Sequence, residues 1–408
     1  MRLLFLTDEP FSFGKTPSRR KAEGFLESAR RNFSFQKALA AAFAKRGDDV
    51  LFVTAEPSET PDPPRFVVRS EGDLLRLTLF LTAESPFSGV SKALSFFSRN
   101  AAAIAGFFQP DVVVSAGFCP VSIFAAEKIA RFSHAVLVAF VTASPQKSGV
   151  LLWEKIVLNA ALRRIRTKSA AVFGSYPRFS SDFSRKNAFS FLLPPPEPLS
   201  SPSKNAERVR SVIETLREGN TFVLAVPGPF QKDCSLRALL RAAQSFGKKT
   251  AFLFLGNGPE KPALERALRE NGLTNVTFGD EVPLEELPFV LSGADAVFLS
   301  ESAVFGPFRT ETDRFLSAFR SGKPVLAAVS SCSDLFRESE NAVFTVPEDT
   351  EGLQKALETL QGFSAEHRAQ LGERGRQFAV RHGFPAFFDG FSAFLHQLVS
   401  HQKENKNL

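Results

Sequence analysis

The chain has 408 residues, enough for two domains that each bury a core, and its 44% apolar and 23% charged residues are ordinary for a soluble α/β protein. Cys119, Cys234 and Cys332 stand far apart with no paired-cysteine or Cys/His spacing, which argues against a disulfide framework or a metal site and fits a reducing cytoplasm. No stretch approaches the ~18 consecutive apolar residues of a membrane span, and the net charge of +7 comes without a module of interleaved basic and aromatic residues that would read nucleic acid.

In chain order, Met1 to Leu6 runs straight into Thr7-Asp8-Glu9, too short an apolar stretch for a signal-peptide core, and reads as a first β-strand. Phe13-Gly14-Lys15-Thr16 ends like a P-loop, but the glycine that motif needs five residues before its Gly-Lys pair is Glu9, so the motif is rejected. Phe33 to Arg46 has apolar residues at helical spacing, Gly47 closes that helix, and Val50 to Thr54 follows as a strand. Pro110 to Ser115 and Val136 to Val141 are short apolar strands around a helix from Val121 to Phe132. A lone histidine, His134, precedes the second of them, a place where histidine is more often structural than catalytic. The helix Trp153 to Lys168 clusters Arg163, Arg164, Arg166 and Lys168 behind an apolar run. It reads either as an amphipathic helix packed on a sheet or as a face for an anionic membrane surface. Ala170 to Ser175 is the last strand of this half, and the alternation predicts a parallel sheet covered on both faces.

Pro194-Pro195-Pro196-Glu197-Pro198, followed by Ser200 to Asn205, blocks helix and sheet bonding and reads as a linker. It sets domains at 1–195 and 206–380, a linker at 196–205 and a terminal helix with a polar tail at 381–408, frayed from His401 onward. The second domain opens with a helix from Ala206 to Arg217 and the strand Phe222 to Val226. Further strands are expected at Ala251 to Leu255, Val276 to Phe278, Ala296 to Leu299 and Val325 to Ala328. Residues 1–200 hold 26 Lys and Arg against 17 Asp and Glu, whereas the remainder holds 24 against 26, so the excess positive charge belongs to the first half. The composition also holds 45 Phe against one Tyr, one Met and one Trp, which gives the core apolar volume at the loss of phenolic donors.

Four segments of the second half carry the functional signal. Gly256-Asn257-Gly258-Pro259-Glu260 follows a strand and precedes a helix; its two glycines permit a tight turn. Asn275 to Phe278, Val282 to Ser300 and Ser321-Gly322-Lys323-Pro324-Val325-Leu326-Ala327 follow at set distances. In this order they resemble the nucleotide-sugar half of GT-B glycosyltransferases, in particular family 4 of the retaining enzymes and its amino-sugar branch. The resemblance covers nearly the whole chain and is specific from about Phe222 to Ala328. It implies an α/β chain of GT-B type, two Rossmann-like doubly wound domains facing a cleft, with the last helix returning towards the first domain.

The resemblance also implies a chemistry. A sugar would pass with retention from a nucleotide-diphosphate donor to a glycan or lipid-linked acceptor, without cofactor or metal, at the inner face of a membrane. The diphosphate leaves as an anion from an oxocarbenium-like transition state, so the site needs positive charge. The family's Arg and Lys after the first strand of the second domain fall on Pro229 and Cys234, near Gly228; Lys232, between them, is a phosphate-ligand candidate. Arg314 stands where the amino-sugar branch has a lysine, and Lys232 and Arg314 are the expected catalytic cations. Gly14 keeps one glycine of the family's first-domain turn, Gly256, Asn257 and Gly258 lie beside the nucleotide, and Val282 contacts the base through its backbone. Glu285 and Glu286 read as first-turn charges that favour the helix dipole.

The family's acidic pair is replaced by Arg309 and Ser317, and Thr142 stands where relatives often carry an acid. Ser317 can still hydrogen-bond a ribose, and Asp313 is a further nucleotide-binding candidate, although Glu311 and Asp313 are expected on other helix faces. Two rivals stay open: a degenerate relative that binds a nucleotide sugar or a partner transferase, and a nucleotide-sugar epimerase on the same fold.

Overall fold

The computed structural model describes residues 1–7, 33–57, 66–81, 100–116, 120–141, 152–174, 187–191, 193–195, 201–218, 222–231, 235–300, 312–329 and 339–406. They fall into two units: the first holds Met1–Phe191 and Phe388–Leu408, the second Leu192–Gly306 and Glu311–Phe387.

The first unit begins with β1 (Arg2–Thr7), helix α1 (33–45) and β2 (Asp49–Pro57). There follow β3 (Phe66–Glu71), β4 (Leu74–Leu81), helix α2 (100–108), β5 (Val112–Ala116), α3 (Pro120–Ser133) and β6 (Val136–Val141). It continues with α4 (Leu152–Lys168), β7 (Ala171–Gly174) and β8 (Ala188–Ser190). The sheet order is β3-β4-β2-β1-β5-β6-β7-β8. Pairing is parallel throughout except for the antiparallel β3–β4 pair. Strands such as β6, VLVAFV, are buried at every position, the pattern of a sheet covered on both faces. The β3–β4 hairpin was not anticipated. Its signal is Gly72-Asp73, a two-residue connection in which Gly72 has φ +63°.

Helices α1 and α3 of this unit have identifiable stops. Gly47, at φ +93°, donates its N–H to the Ala44 carbonyl, as the sequence implies. His134 takes φ +55° just beyond α3, and Ala135 donates back to the Ala130 carbonyl, the same kind of left-handed cap built on a histidine. His134 is thus a structural residue at a helix end.

The second unit contains α5 (Lys204–Arg217), β9 (Phe222–Pro227), α6 (Leu236–Ala243), β10 (Thr250–Leu255) and α7 (Lys261–Glu270). Next come β11 (Val276–Gly279), α8 (Leu287–Leu291), β12 (Ala296–Ser300), α9 (Thr312–Arg320), β13 (Val325–Ala328) and β14 (Ala342–Thr345). The helices α10 (Thr350–Gly362) and α11 (Ala365–Arg381) complete it, and α12 (Phe384–Lys406) carries the chain into the first unit. The six strands are all parallel in the order β11-β10-β9-β12-β13-β14. Alternate residues feed two cores: Val223, Ala225, Leu253 and Val297 on one face, Leu224, Val226, Phe252 and Phe298 on the other.

Two expectations are corrected. Helix α5 starts at Lys204, not Ala206, because Ser203 caps it by accepting the Ala206 N–H. The tail from His401 is helical to Lys406 rather than frayed. Gln402 donates to the His134 carbonyl and the Lys403 ammonium lies 3.5 Å from the Asp111 carboxylate, so this polar end has partners on the first unit. The phenylalanines find their use nearby. Phe388, Phe391 and Phe394 of α12 meet the rings of Phe43, Phe140 and Phe173 at centroid distances of 4.9–5.6 Å.

Candidate functional site

In the second sheet the chain builds outward from β9 to β11 on one side, then returns to add β12 to β14 on the other. The loops leaving β9 and its neighbours therefore diverge at the carboxyl ends of the strands, where open α/β sheets bind ligands. The residues singled out from the sequence concentrate at this edge.

Gly228 follows β9 and Gly256-Asn257-Gly258 follows β10, and the two loops are zipped together by their backbones. Gly228 N–H donates to Leu255 O at 2.6 Å, Phe230 N–H to Asn257 O at 2.8 Å, and Glu260 N–H back to Phe230 O at 3.1 Å. The Asn257 side chain accepts from the Gly258 N–H, closing the turn locally. Gly256 and Gly258 have φ +136° and +154°. A Cβ on Gly258 would lie 2.3 Å from the Phe230 carbonyl oxygen, and one on Gly256 would lie 3.1 Å from Gly228 Cα. The glycines are thus required first by the neighbouring loop, which keeps side chains away from this edge. Beneath them the rings of Phe230, Phe254 and Phe278 touch in a triangle.

Sequence reasoning missed Lys261. Its ammonium donates to the Gly256 carbonyl at 3.2 Å and lies 5.9 Å from the Phe278 ring centroid, a cation fastened beside the glycine turn. Its position directly after Gly-Asn-Gly-Pro-Glu was the available signal.

The third loop, from Asp280 to Glu286, carries Val282. The Val282 side chain packs against the core beneath it. Glu286 departs from the expected dipole role. It is 4% exposed, and its carboxylate accepts the Ser203 N–H at 2.5 Å and the Ser203 hydroxyl at 2.9 Å.

Helix α9 brings Asp313, Arg314 and Ser317 together. The expectation that Asp313 turns away from Ser317 is corrected: four residues apart on one helix, they share a face, and both are buried, 2% and 1% exposed. Asp313 Oδ1 accepts the Arg314 N–H at 2.8 Å. Among the described residues the buried Ser317 hydroxyl has no hydrogen-bond partner, and neither has Gln231 Oε1 in the first loop. Lys232, Cys234, Arg309, Glu311, Thr142 and Gly14 lie outside the described residues.

The first unit has its own topological switch, between β1 and β5. Thr7 ends β1, Ser115 lies one residue from the end of β5, and Gln36 stands near the start of the described part of α1. All three are buried and their side-chain polar atoms have no partners among the described residues, a feature that the apolar periodicity did not reveal. On α4, Arg163, Arg164, Arg166 and Lys168 are all exposed while Ala161, Leu162 and Ile165 are buried. Arg164 pairs with Glu127 and stacks on Phe124 at 5.1 Å. Among the described residues no group of His, Cys, Asp and Glu could hold a metal ion, and no helix is long and apolar enough to cross a membrane.

Residues 221–362 match the model of the family described as "Glycosyl transferases group 1". No curated protein matches the sequence. Among solved structures, Anabaena Alr3699/HepE in complex with UDP and glucose superposes with a TM-score of 0.64 at 14% identity, over 97% of this chain and 100% of that one. Sucrose-phosphate synthase from Thermosynechococcus elongatus gives 0.62 at 15% identity, over 98% and 99%. "Trehalose-6-phosphate from E. coli bound with UDP-2-fluoro glucose" gives 0.62 at 10% identity, over 97% and 99%.

Proposed function

Taking as premise that this chain has the GT-B fold and that its second unit matches the group 1 glycosyl transferases, we propose that it transfers a sugar from a nucleoside-diphosphate donor to a glycan or lipid-linked acceptor, with retention of configuration. The observation that carries this reading is the second unit's carboxyl edge, where the loops after β9 and β10 are zipped together through their glycines; in the same unit α9 buries a Ser317 hydroxyl that has no partner among the described residues. Glycines at such an edge let a diphosphate come close to the chain with no side chain between, and a buried hydroxyl without a partner among the described residues has bonding capacity left for a ligand. The UDP and UDP-sugar complexes of the structural neighbours make a uridine nucleotide the first donor to test.

In this reading the backbones of Gly228, Gly256, Asn257 and Gly258 border the phosphates, and the Val282 backbone meets the base. Ser317 and Asp313 receive the ribose hydroxyls from one helix face, so a carboxylate one turn earlier stands in for the glutamate that Ser317 replaces. Arg314 and Lys232 supply the positive charge that a departing diphosphate needs. The amino-sugar branch makes an N-acetylated amino sugar the favoured cargo, and polysaccharide assembly the process it would serve.

Titration with UDP, GDP, ADP and CMP, followed by thermal unfolding, tests the reading. A ligand at a hundred times its Kd stabilises by about 2.7 kcal/mol, a shift easily seen. UDP is expected to raise the midpoint; no shift with any nucleotide overturns the proposal. The replacement of the acidic pair by Arg309 and Ser317 favours one other reading, a chain that binds the donor without turning it over. Saturable UDP-sugar binding with no UDP release, with or without acceptor glycans, selects it.

The exposed basic face of α4 supports a peripheral site of action at the inner face of a membrane. Co-sedimentation with anionic but not neutral vesicles is expected, and its loss in an Arg163→Glu/Arg166→Glu variant. Equal sedimentation with both lipids overturns this localisation.

A further inference from the structure

The loop Asp280 to Glu286 has little of its own to hold it. Its internal hydrogen bonds are the turn at its end, in which Glu286 and Leu287 donate to the Pro283 carbonyl. Val282 and Leu284 pack on the core, and the loop's polar fixation comes from α5 and its cap. Arg208 pairs with Asp280, Asn205 Nδ2 donates to the Glu281 carbonyl at 3.1 Å, and Ser203 gives Glu286 both its N–H and its hydroxyl.

The Ser203–Glu286 contact has recognisable chemistry. A helix N-cap serine accepts the N–H of the third helical residue, and in a capping box an acid at that third position returns a bond to the serine's own N–H. Here Ser203 accepts the N–H of Ala206, an alanine that cannot reply. Glu286, 83 residues further along, makes the missing bond and adds one to the hydroxyl. The capping box is therefore completed from the distant loop, and its carboxylate lies at the positive end of α5. Because Glu286 is buried and both oxygens are engaged, a shift of the loop would leave a buried carboxyl group without its partners.

We infer that Glu286 is a positioning residue for nucleotide binding: by completing the cap of α5 it fixes the loop whose Val282 backbone meets the base. The inference rests on the donor reading above. It predicts a geometric role rather than one of charge, since a glutamine can keep both contacts, its oxygen accepting the Ser203 N–H and its amide donating to Ser203 Oγ.

The experiment is UDP binding by calorimetry, well below the unfolding midpoint of each protein. Glu286→Leu is expected to weaken UDP at least tenfold, Ser203→Ala about threefold, and Glu286→Gln less than twofold. Removing a merely structural contact would lower the midpoint and leave the Kd of the folded protein unchanged. Glu286→Leu or Ser203→Ala, folded and binding UDP like wild type, overturns the inference; Ser203→Ala decides if Glu286→Leu fails to fold. Glu286→Gln as weak as Glu286→Leu also overturns it. A wild-type chain that binds no nucleotide removes the donor reading itself, whereas wild-type binding with insensitive variants removes only the role of Glu286.

Discussion

Gly258 sits so close to Phe230 that the Cβ of any other residue would fall 2.3 Å from its carbonyl oxygen. That contact joins the loops after β9 and β10 into one ledge, and the φ of +154° at Gly258 makes a side chain strained there in any case. Gly258→Ala is expected to destabilise by about 2–4 kcal/mol, from backbone strain plus overpacking. Urea unfolding measures it. A loss under about 0.5 kcal/mol, the ordinary surface effect, would mean the two loops are not held together as described.

Ser317 separates stability from binding. Its hydroxyl is buried and has no partner among the described residues, so Ser317→Ala removes a polar atom that bonds to none of them. Unfolding free energy should stay equal or rise slightly, while UDP affinity falls about 2- to 10-fold, the worth of one neutral hydrogen bond. A loss of stability without loss of affinity would place the hydroxyl in a water-bridged structural role.

Two helical glycines should respond with opposite signs. Gly372 of α11 lies against the turn after α9, and a Cβ there would meet Gly322 O at 1.9 Å. A helix interior ordinarily prefers Ala to Gly, but Gly322 O is backbone and cannot swing aside. Gly372→Ala is expected to destabilise by about 1–3 kcal/mol. Gly390 of α12 has nothing within 4 Å, so Gly390→Ala should stabilise by about 0.5–1 kcal/mol. Paired denaturation curves test the contrast; a Gly372→Ala variant as stable as wild type or more so would refute the packing of α11.

Lys323 is held below the ordinary lysine value of 10.5, first by burial and then by the positive charge of Arg217, with Asp295 acting against the shift. A depressed lysine value means that the folded state disfavours the charged form. The cost is full at neutral pH, and stability rises with pH between the depressed value and 10.5, where the unfolded chain still holds the proton. Lys323→Met should therefore raise the melting temperature at pH 7, with the gain shrinking as pH approaches 10.5. A gain independent of pH would point to packing instead.

The sequence by itself determined the two-part α/β plan and the place of the glycine turns at the carboxyl edge of the second sheet. Buried parallel strands announce themselves as runs such as Val136 to Val141, and glycines after a strand, as at Gly256 and Gly258, mark a turn whatever surrounds them. These are local signals, set by backbone sterics and by burial on two faces. What only the tertiary structure decided are the partnerships across the chain. Spacing showed two glutamates at a helix start, but not that Glu286 completes the cap of a helix beginning at Lys204. The polar residues after His401 read as a loose tail because their partners, the His134 carbonyl and Asp111, lie more than 260 residues earlier. Asp313 and Ser317 share a face by helical spacing alone, but that this face of α9 is buried shows only in the folded chain. A buried carboxylate, an unpartnered hydroxyl and a helix docked on phenylalanine rings each depend on atoms distant in sequence. Their energies come from desolvation and close packing, which exist only after the chain has closed around them.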